Sequence, residues 1–231
     1  MGGEVRALSG VRSDYIVSSL ASASVALSSV LMFAWVGRAM GADELGFFSQ
    51  IRRVSAMWVP VGSVGVSIAL SRYIPRLADV TMIRRRALQT LALVTLILIL
   101  HMALLTQPFA VNALGPVIGP RLTLVWPFLF QLSGLCILVL PYAMLRGLHR
   151  IRWAAALQVV GYALWPLLCI AWDADANLEL LVTRMGCGQL VIGLVACLAV
   201  LGWTQPAKVP TDPEPDPGLR VWLSYGLARL P

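Results

Sequence analysis

The chain has 231 residues, 58% of them hydrophobic and 13% charged, with a mean hydropathy of +0.79. Soluble domains do not reach that balance, so the composition excludes them and points to an integral membrane protein. The formal net charge of +7 does not mark a nucleic-acid surface, because the basic residues fall between apolar runs instead of on one polar face.

Nothing charged lies between Asp14 and Arg38, which leaves Tyr15 to Val36 long enough to cross about 30 Å of hydrocarbon as the first helix. Arg6 and Arg12 precede it as they would a signal peptide, but the run exceeds a typical signal core and further spans follow, so it reads as a retained helix. Ser18, Ser22 and Ser29 share one face at helical spacing, either for packing another helix or for lining a water-filled cavity. The link from Gly37 to Arg53 turns the chain back, with Gly41 and Gly46 expected to supply positive φ angles. The second span, Val54 to Ser71, carries Pro60, Gly62 and Gly65, so a kink or a close helix contact is expected there.

Arg72, Arg76, Arg84, Arg85 and Arg86 then form a strongly basic loop, expected on the cytoplasmic side. Ala87 to Thr106 is the third span, followed by an outer loop broken by prolines and glycines. Leu122 to Leu145 is the fourth, and Arg146, Arg150 and Arg152 after it mark a second inner loop. Trp153 to Trp172 is the fifth. Leu180 to Trp203 is the sixth, where Gly186, Gly188 and Gly193 suit close helix contact. Residues 204–218, rich in Pro and acidic side chains, read as an extended linker that packs no core.

The expected fold is therefore all-α and polytopic: a six-helix transmembrane bundle over 1–203, the linker over 204–218, and at 219–231 the truncated start of a second bundle. With the N-terminus inside, the inner segments hold 13 of the 18 Lys and Arg residues, which sets the orientation by the positive-inside rule. Cys136, Cys169, Cys187 and Cys197 all fall inside spans, without disulfide-framework or metal-ligand spacing. No Ser/His/Asp set, HExxH or phosphate loop occurs, so neither an enzyme nor a metal or cofactor is expected. The D-x-D at Asp173 and Asp175 reads as a solvated outer turn.

The link Gly37 to Phe48, the sequence SIALSRYIPRL (Ser67 to Leu77), LRGLHR (Leu145 to Arg150) and the final YGLARLP (Tyr225 to Pro231) resemble the polysaccharide repeat-unit flippases of the multidrug/oligosaccharidyl-lipid/polysaccharide exporter superfamily. The resemblance covers essentially the whole chain and is built from Gly, Arg and apolar positions. It implies half of a two-bundle transporter of the cytoplasmic membrane, exposing lipid-linked oligosaccharide to each side in turn. The partners it implies are that glycolipid, membrane lipids, and a missing carboxyl-terminal half or a second copy. A multidrug or cation antiporter of the same superfamily is the alternative, together with a non-transporting scaffold. The antiporter would be expected to use an acidic residue in the first bundle, and the first span has none between Asp14 and Arg38.

Charges at membrane depth are costly, so each one invites a role. Arg52 and Arg53 open the second span about 100° apart on a helix, so only one can face a cavity. That one can hold a diphosphate bidentately, against the alternative that both snorkel to headgroups. Arg184, one turn inside the sixth span, offers the same two readings. His101, deep in the third span, suits either a proton relay or a hydrogen-bonded packing role.

Overall fold

A computed structural model describes residues 2–63, 65–77, 79–105, 107, 122–172, 177–203 and 218–228. Every regular element among the described residues is helical. The outer loop at 108–120, the D-x-D at Asp173 and Asp175, and linker positions 204–217 lie outside the described residues.

Helix α1 runs over Gly2–Ala39 without a breaker. Met40 and Gly41, the latter at φ 93°, reverse the chain into α2, Ala42–Gly62. Gly41 thus takes the expected positive φ, whereas Gly46 does not join the turn and lies inside α2. The second helix begins twelve residues before the apolar run at Val54, because Asp43 and Glu44 sit in its first turn, where the positive end of the helix dipole favours carboxylates. Apolarity marks where a helix enters lipid, not where it starts.

Near the end of α2, Pro60 removes one backbone donor. Ser63 and Gly65 close the helix instead, their N–H groups donating to Val59 O at 2.9 Å and Pro60 O at 3.1 Å. Gly65 takes the left-handed conformation at φ 62°, which costs glycine nothing. Helix α3, Val66–Tyr73, then leaves at 55° to α2 and ends in a 3-10 turn at Ile74–Arg76. The second span is thus bent, as its Pro and Gly content suggests.

Asp79 starts α4, Val80–Leu105, by accepting from Thr81 N–H at 2.9 Å and from the Thr81 hydroxyl, a helix N-cap. The Thr81 hydroxyl, and then its backbone N–H, hold the Asp79 carboxyl below its usual range. Because the cap precedes Arg84, Arg85 and Arg86, these arginines occupy the first turns of α4 and not a loop. This corrects the expected basic loop over Arg84 to Arg86, since the third helix starts ahead of its apolar run at Ala87.

Helix α5, Val125–Gly147, forms the centre of the fold. In its most apolar stretch 78% of residues are buried, against 17% to 33% in α1, α4, α6 and α7. Helix α6, Ile151–Trp172, contains a π turn at Val160–Leu164, and α7 covers Leu178–Trp203. Glycines let α5 and α7 touch along their length: a Cβ on Gly134 would stand 2.4 Å from Gly186 O, and one on Gly193 2.9 Å from Leu138 N. A short helix α8, Leu219–Leu227, packs against α3.

Leu27, Val30, Leu96, Ile99, Leu100, Val195 and Leu198 are exposed. In water such a surface would drive association, but in hydrocarbon it is the solvated face. Among the described residues five helices are long and apolar enough to span a membrane, or six if the bent α2–α3 pair counts as one span. The chain is a multi-pass, all-helical membrane protein.

Candidate substrate chamber

Between α2, α5, α6 and α7 lies a cavity of about 300 Å³ lined by Arg52, Ser55, Pro60, Gln131, Tyr162 and Gln189, among others. Its polarity has a local backbone cause in α6. The π turn closes with Trp165 N–H reaching back five residues to Val160 O, and Pro166 has no N–H to offer the next carbonyls. Gly161 O is left to accept from Gln189 Nε2 at 3.1 Å, and Ala163 O accepts from Ser28 Oγ at 3.0 Å. The close glycine contact of α5 with α7 then brings Gln131 to Gln189, and Gln131 Nε2 donates to Gln189 Oε1 at 3.0 Å.

This relay has a fixed direction. A carbonyl only accepts, so Gly161 O fixes Gln189 with its nitrogen toward α6 and its oxygen toward Gln131. Gln131 must therefore turn its own nitrogen to Gln189. Its Oε1, buried in the wall of the cavity, has no hydrogen-bond donor among the described residues, and neither does the buried Ser55 Oγ.

Arg52 supplies the positive charge. Half-buried, its guanidinium donates to Ser29 Oγ at 3.3 Å, reaches Met32 Sδ at 3.8 Å, and stands 5.9 Å from the Phe48 ring centroid. No carboxylate lies against it among the described residues. Arg53, one residue on, is exposed on the other side of α2, as the helical angle between the two requires.

The other sequence candidates stand elsewhere. Arg184 lines a separate, largely apolar groove of about 430 Å³ with Trp165, Trp172, Cys187 and Gly188, and its Nη1 donates to Trp172 O at 3.2 Å. His101 is half-buried on α4, its Nδ1 2.8 Å from Ile97 O and its ring edge-on to Trp58. Of Ser18, Ser22 and Ser29 on α1, Ser22 bonds Ser18 O and Ser29 bonds Val25 O within their own helix, and only Ser29 also meets Arg52. Ser55, Gln131, Gln189 and Ser28 escaped the sequence reading. For Gln131 and Gln189 the signal was the rarity of amides in apolar spans, reinforced by a glycine three residues away at Gly134 and Gly186.

The fold and this chamber define a class: an all-helical, multi-pass membrane protein with a polar, cationic cavity inside its bundle. Comparison with known proteins gives no match to any family model, curated protein or solved structure.

Proposed function

We propose that the chain is the amino-terminal bundle of a flippase for lipid-linked oligosaccharides, working by alternating access in the cytoplasmic membrane with its N-terminus inside. The observation that carries this reading is Arg52, a guanidinium without a carboxylate partner among the described residues, in a cavity walled by membrane helices. A cation held away from water without a counter-charge favours an anionic ligand, and its planar fork fits phosphate oxygens. The diphosphate of a lipid-linked sugar supplies that charge while its tail stays in the bilayer. The second wall of the pathway is a second bundle, since transporter repeats place substrate at their mutual interface.

The test is binding to purified chain in detergent micelles, with phytanyl diphosphate carrying one N-acetylglucosamine as the probe. Arg52→Gln is expected to weaken binding about tenfold or more, the worth of a charge-assisted pair, while Arg53→Gln leaves it unchanged. No binding by the unmodified chain, or equal binding by both variants, overturns the reading.

A further inference from the structure

From Val139 to Gly147 the bundle buries every residue of α5 except Val139, Tyr142 and Arg146. Their helical spacing puts these three on one face, and that face forms one wall of a groove of about 450 Å³, opposite Ser67, Ile68 and Ser71 on α3. We infer that this groove holds an anionic phospholipid of the leaflet at the basic ends of the helices, its phosphate on Arg146 and an acyl chain along Val139 and Ile68. Arg52 and its cavity take no part.

Close contact fixes the two walls. A Cβ on Gly147 would stand 2.9 Å from Leu70 O, and Ser71 Oγ donates to Ala143 O at 3.3 Å. Polarity then runs along the groove as it runs along a lipid. Val139 lies about 10 Å deeper along α5 than Arg146, and Ile68 opposite it opens to the surface. At the other end, Arg146 Nη1 donates to Tyr142 Oη at 3.3 Å, and its guanidinium stands 5.7 Å from the Tyr142 ring centroid. The cation is thus drawn back over the groove, as a helical side chain leaning toward its N-terminus would be, instead of extending past the helix end.

Having accepted from Arg146, the Tyr142 hydroxyl keeps its own proton to donate, and it has no acceptor among the described residues. The Ser67 hydroxyl also has no partner among them. Guanidinium and hydroxyls therefore offer donors, and none of the described residues lining the groove is acidic. A phosphodiester supplies the missing acceptors and counter-charge, and its oxygens fit the guanidinium fork. The same charge balance selects the headgroup, since the ammonium of a zwitterionic lipid would approach Arg146 with no carboxylate to offset it. A soluble phosphate ester would leave the apolar length of the groove unfilled.

The test is lipid binding to the purified chain in nonionic detergent, read by native mass spectrometry with dioleoyl phosphatidylglycerol and dioleoyl phosphatidylcholine as probes. Phosphatidylglycerol is expected to occupy one site about tenfold more tightly, the worth of one charge-assisted pair. Arg146→Gln should abolish that preference, whereas Arg85→Gln, at an exposed arginine outside the groove, should keep it. Tyr142→Phe retains the ring beside the guanidinium and removes one donor, so a loss of about two- to threefold is expected. Ile68→Trp fills the apolar end and should weaken both lipids, while glycerol phosphate, which lacks the chains, should not displace bound phosphatidylglycerol. Equal binding of the two lipids by the unmodified chain, or equal losses in Arg146→Gln and Arg85→Gln, means that phosphates meet the basic helix ends without a defined site, and overturns the inference. Displacement by glycerol phosphate overturns it in favour of a soluble ligand. A preference that survives both Arg146→Gln and Tyr142→Phe places the site elsewhere and overturns it as well.

Discussion

Gly65 and Gly226 meet backbone to backbone: a Cβ built on Gly65 would stand 2.3 Å from the carbonyl oxygen of Gly226. The contact seats α8 on the break between α2 and α3, where the second span bends. Around it Trp222 is buried and stacks on Tyr73 at 5.4 Å between ring centroids, and Arg72 Nη1 donates to Tyr225 Oη at 2.5 Å. The residues at the bend and the short helix after the linker therefore form one packed unit.

Gly65→Ala should loosen that unit. A side chain in the left-handed conformation costs about 1–2 kcal/mol, and the new methyl group meets backbone, which cannot rotate away. With a thiol-reactive dye reporting exposure of the buried Cys136, Cys169 and Cys197, the variant is expected to melt well below the unmodified protein. Gly46→Ala is the control, since a Cβ there meets nothing within 4 Å and alanine gains about 1 kcal/mol of helix propensity. Equal melting of Gly65→Ala and the unmodified chain would show that the contact is dispensable.

Within the α8 cluster, burial outweighs the polar pair. Trp222→Ala removes a side chain only 1% exposed, a loss of about 3 kcal/mol or more. Tyr225→Phe removes one hydrogen bond, worth about 1 kcal/mol, and leaves a ring under the Arg72 guanidinium, now 4.4 Å from the Tyr225 centroid. Amide hydrogen exchange over Leu219–Leu227 should thus rise strongly in Trp222→Ala and little in Tyr225→Phe. The reverse order would place the strength of the docking in the polar pair.

The cap of α4 has a pH dependence of known sign. The Thr81 hydroxyl and backbone N–H favour ionised Asp79 and lower its pKa from the usual 3.8. The cap's contribution is complete above that usual value and is lost as pH falls through the lowered folded value. Asp79→Asn keeps a side-chain oxygen for capping and should remove this acid dependence while α4 still starts at Val80. A carbon-13 titration of the Asp79 carboxyl with its midpoint at or above 3.8 would contradict the hydrogen bonding seen here.

Spans were legible in the sequence because lipid demands long uncharged runs, and all six expected helices occur. Helix starts were less legible. Asp43 with Glu44, and Asp79 with Thr81, begin α2 and α4 outside the apolar stretches, where capping and the helix dipole act and hydropathy is blind. Arg52 stood out as a charge near the opening of a span, and the 100° step to Arg53 separated a cavity face from an exposed one. The amide relay was not legible. It depends on a π turn in α6 and on a glycine contact between α5 and α7, and both are tertiary arrangements that no single span announces.

Contacts at the helix ends place several of them on one side of the membrane. Arg152 Nη2 donates to Ser13 Oγ at 3.2 Å and its Nε lies 3.8 Å from Asp14, so the start of α6 shares a membrane side with the start of the first span. Arg72 bonds Tyr225, which puts the end of α3 beside α8. Ser71 and Arg146 line one groove, which adds the end of α5 to the same side. These ends carry most of the arginines, and an excess of Arg and Lys stays in the cytoplasm during insertion. Arg85→Cys, near the start of α4, is therefore expected to be protected from an impermeant thiol reagent on intact cells in a cysteine-free version of the chain, whereas Asp175→Cys is expected to be labelled. Lysed cells should label both. Labelling of Arg85→Cys with protection of Asp175→Cys in intact cells would invert the orientation, and would turn the basic ends of the bundle to the outside.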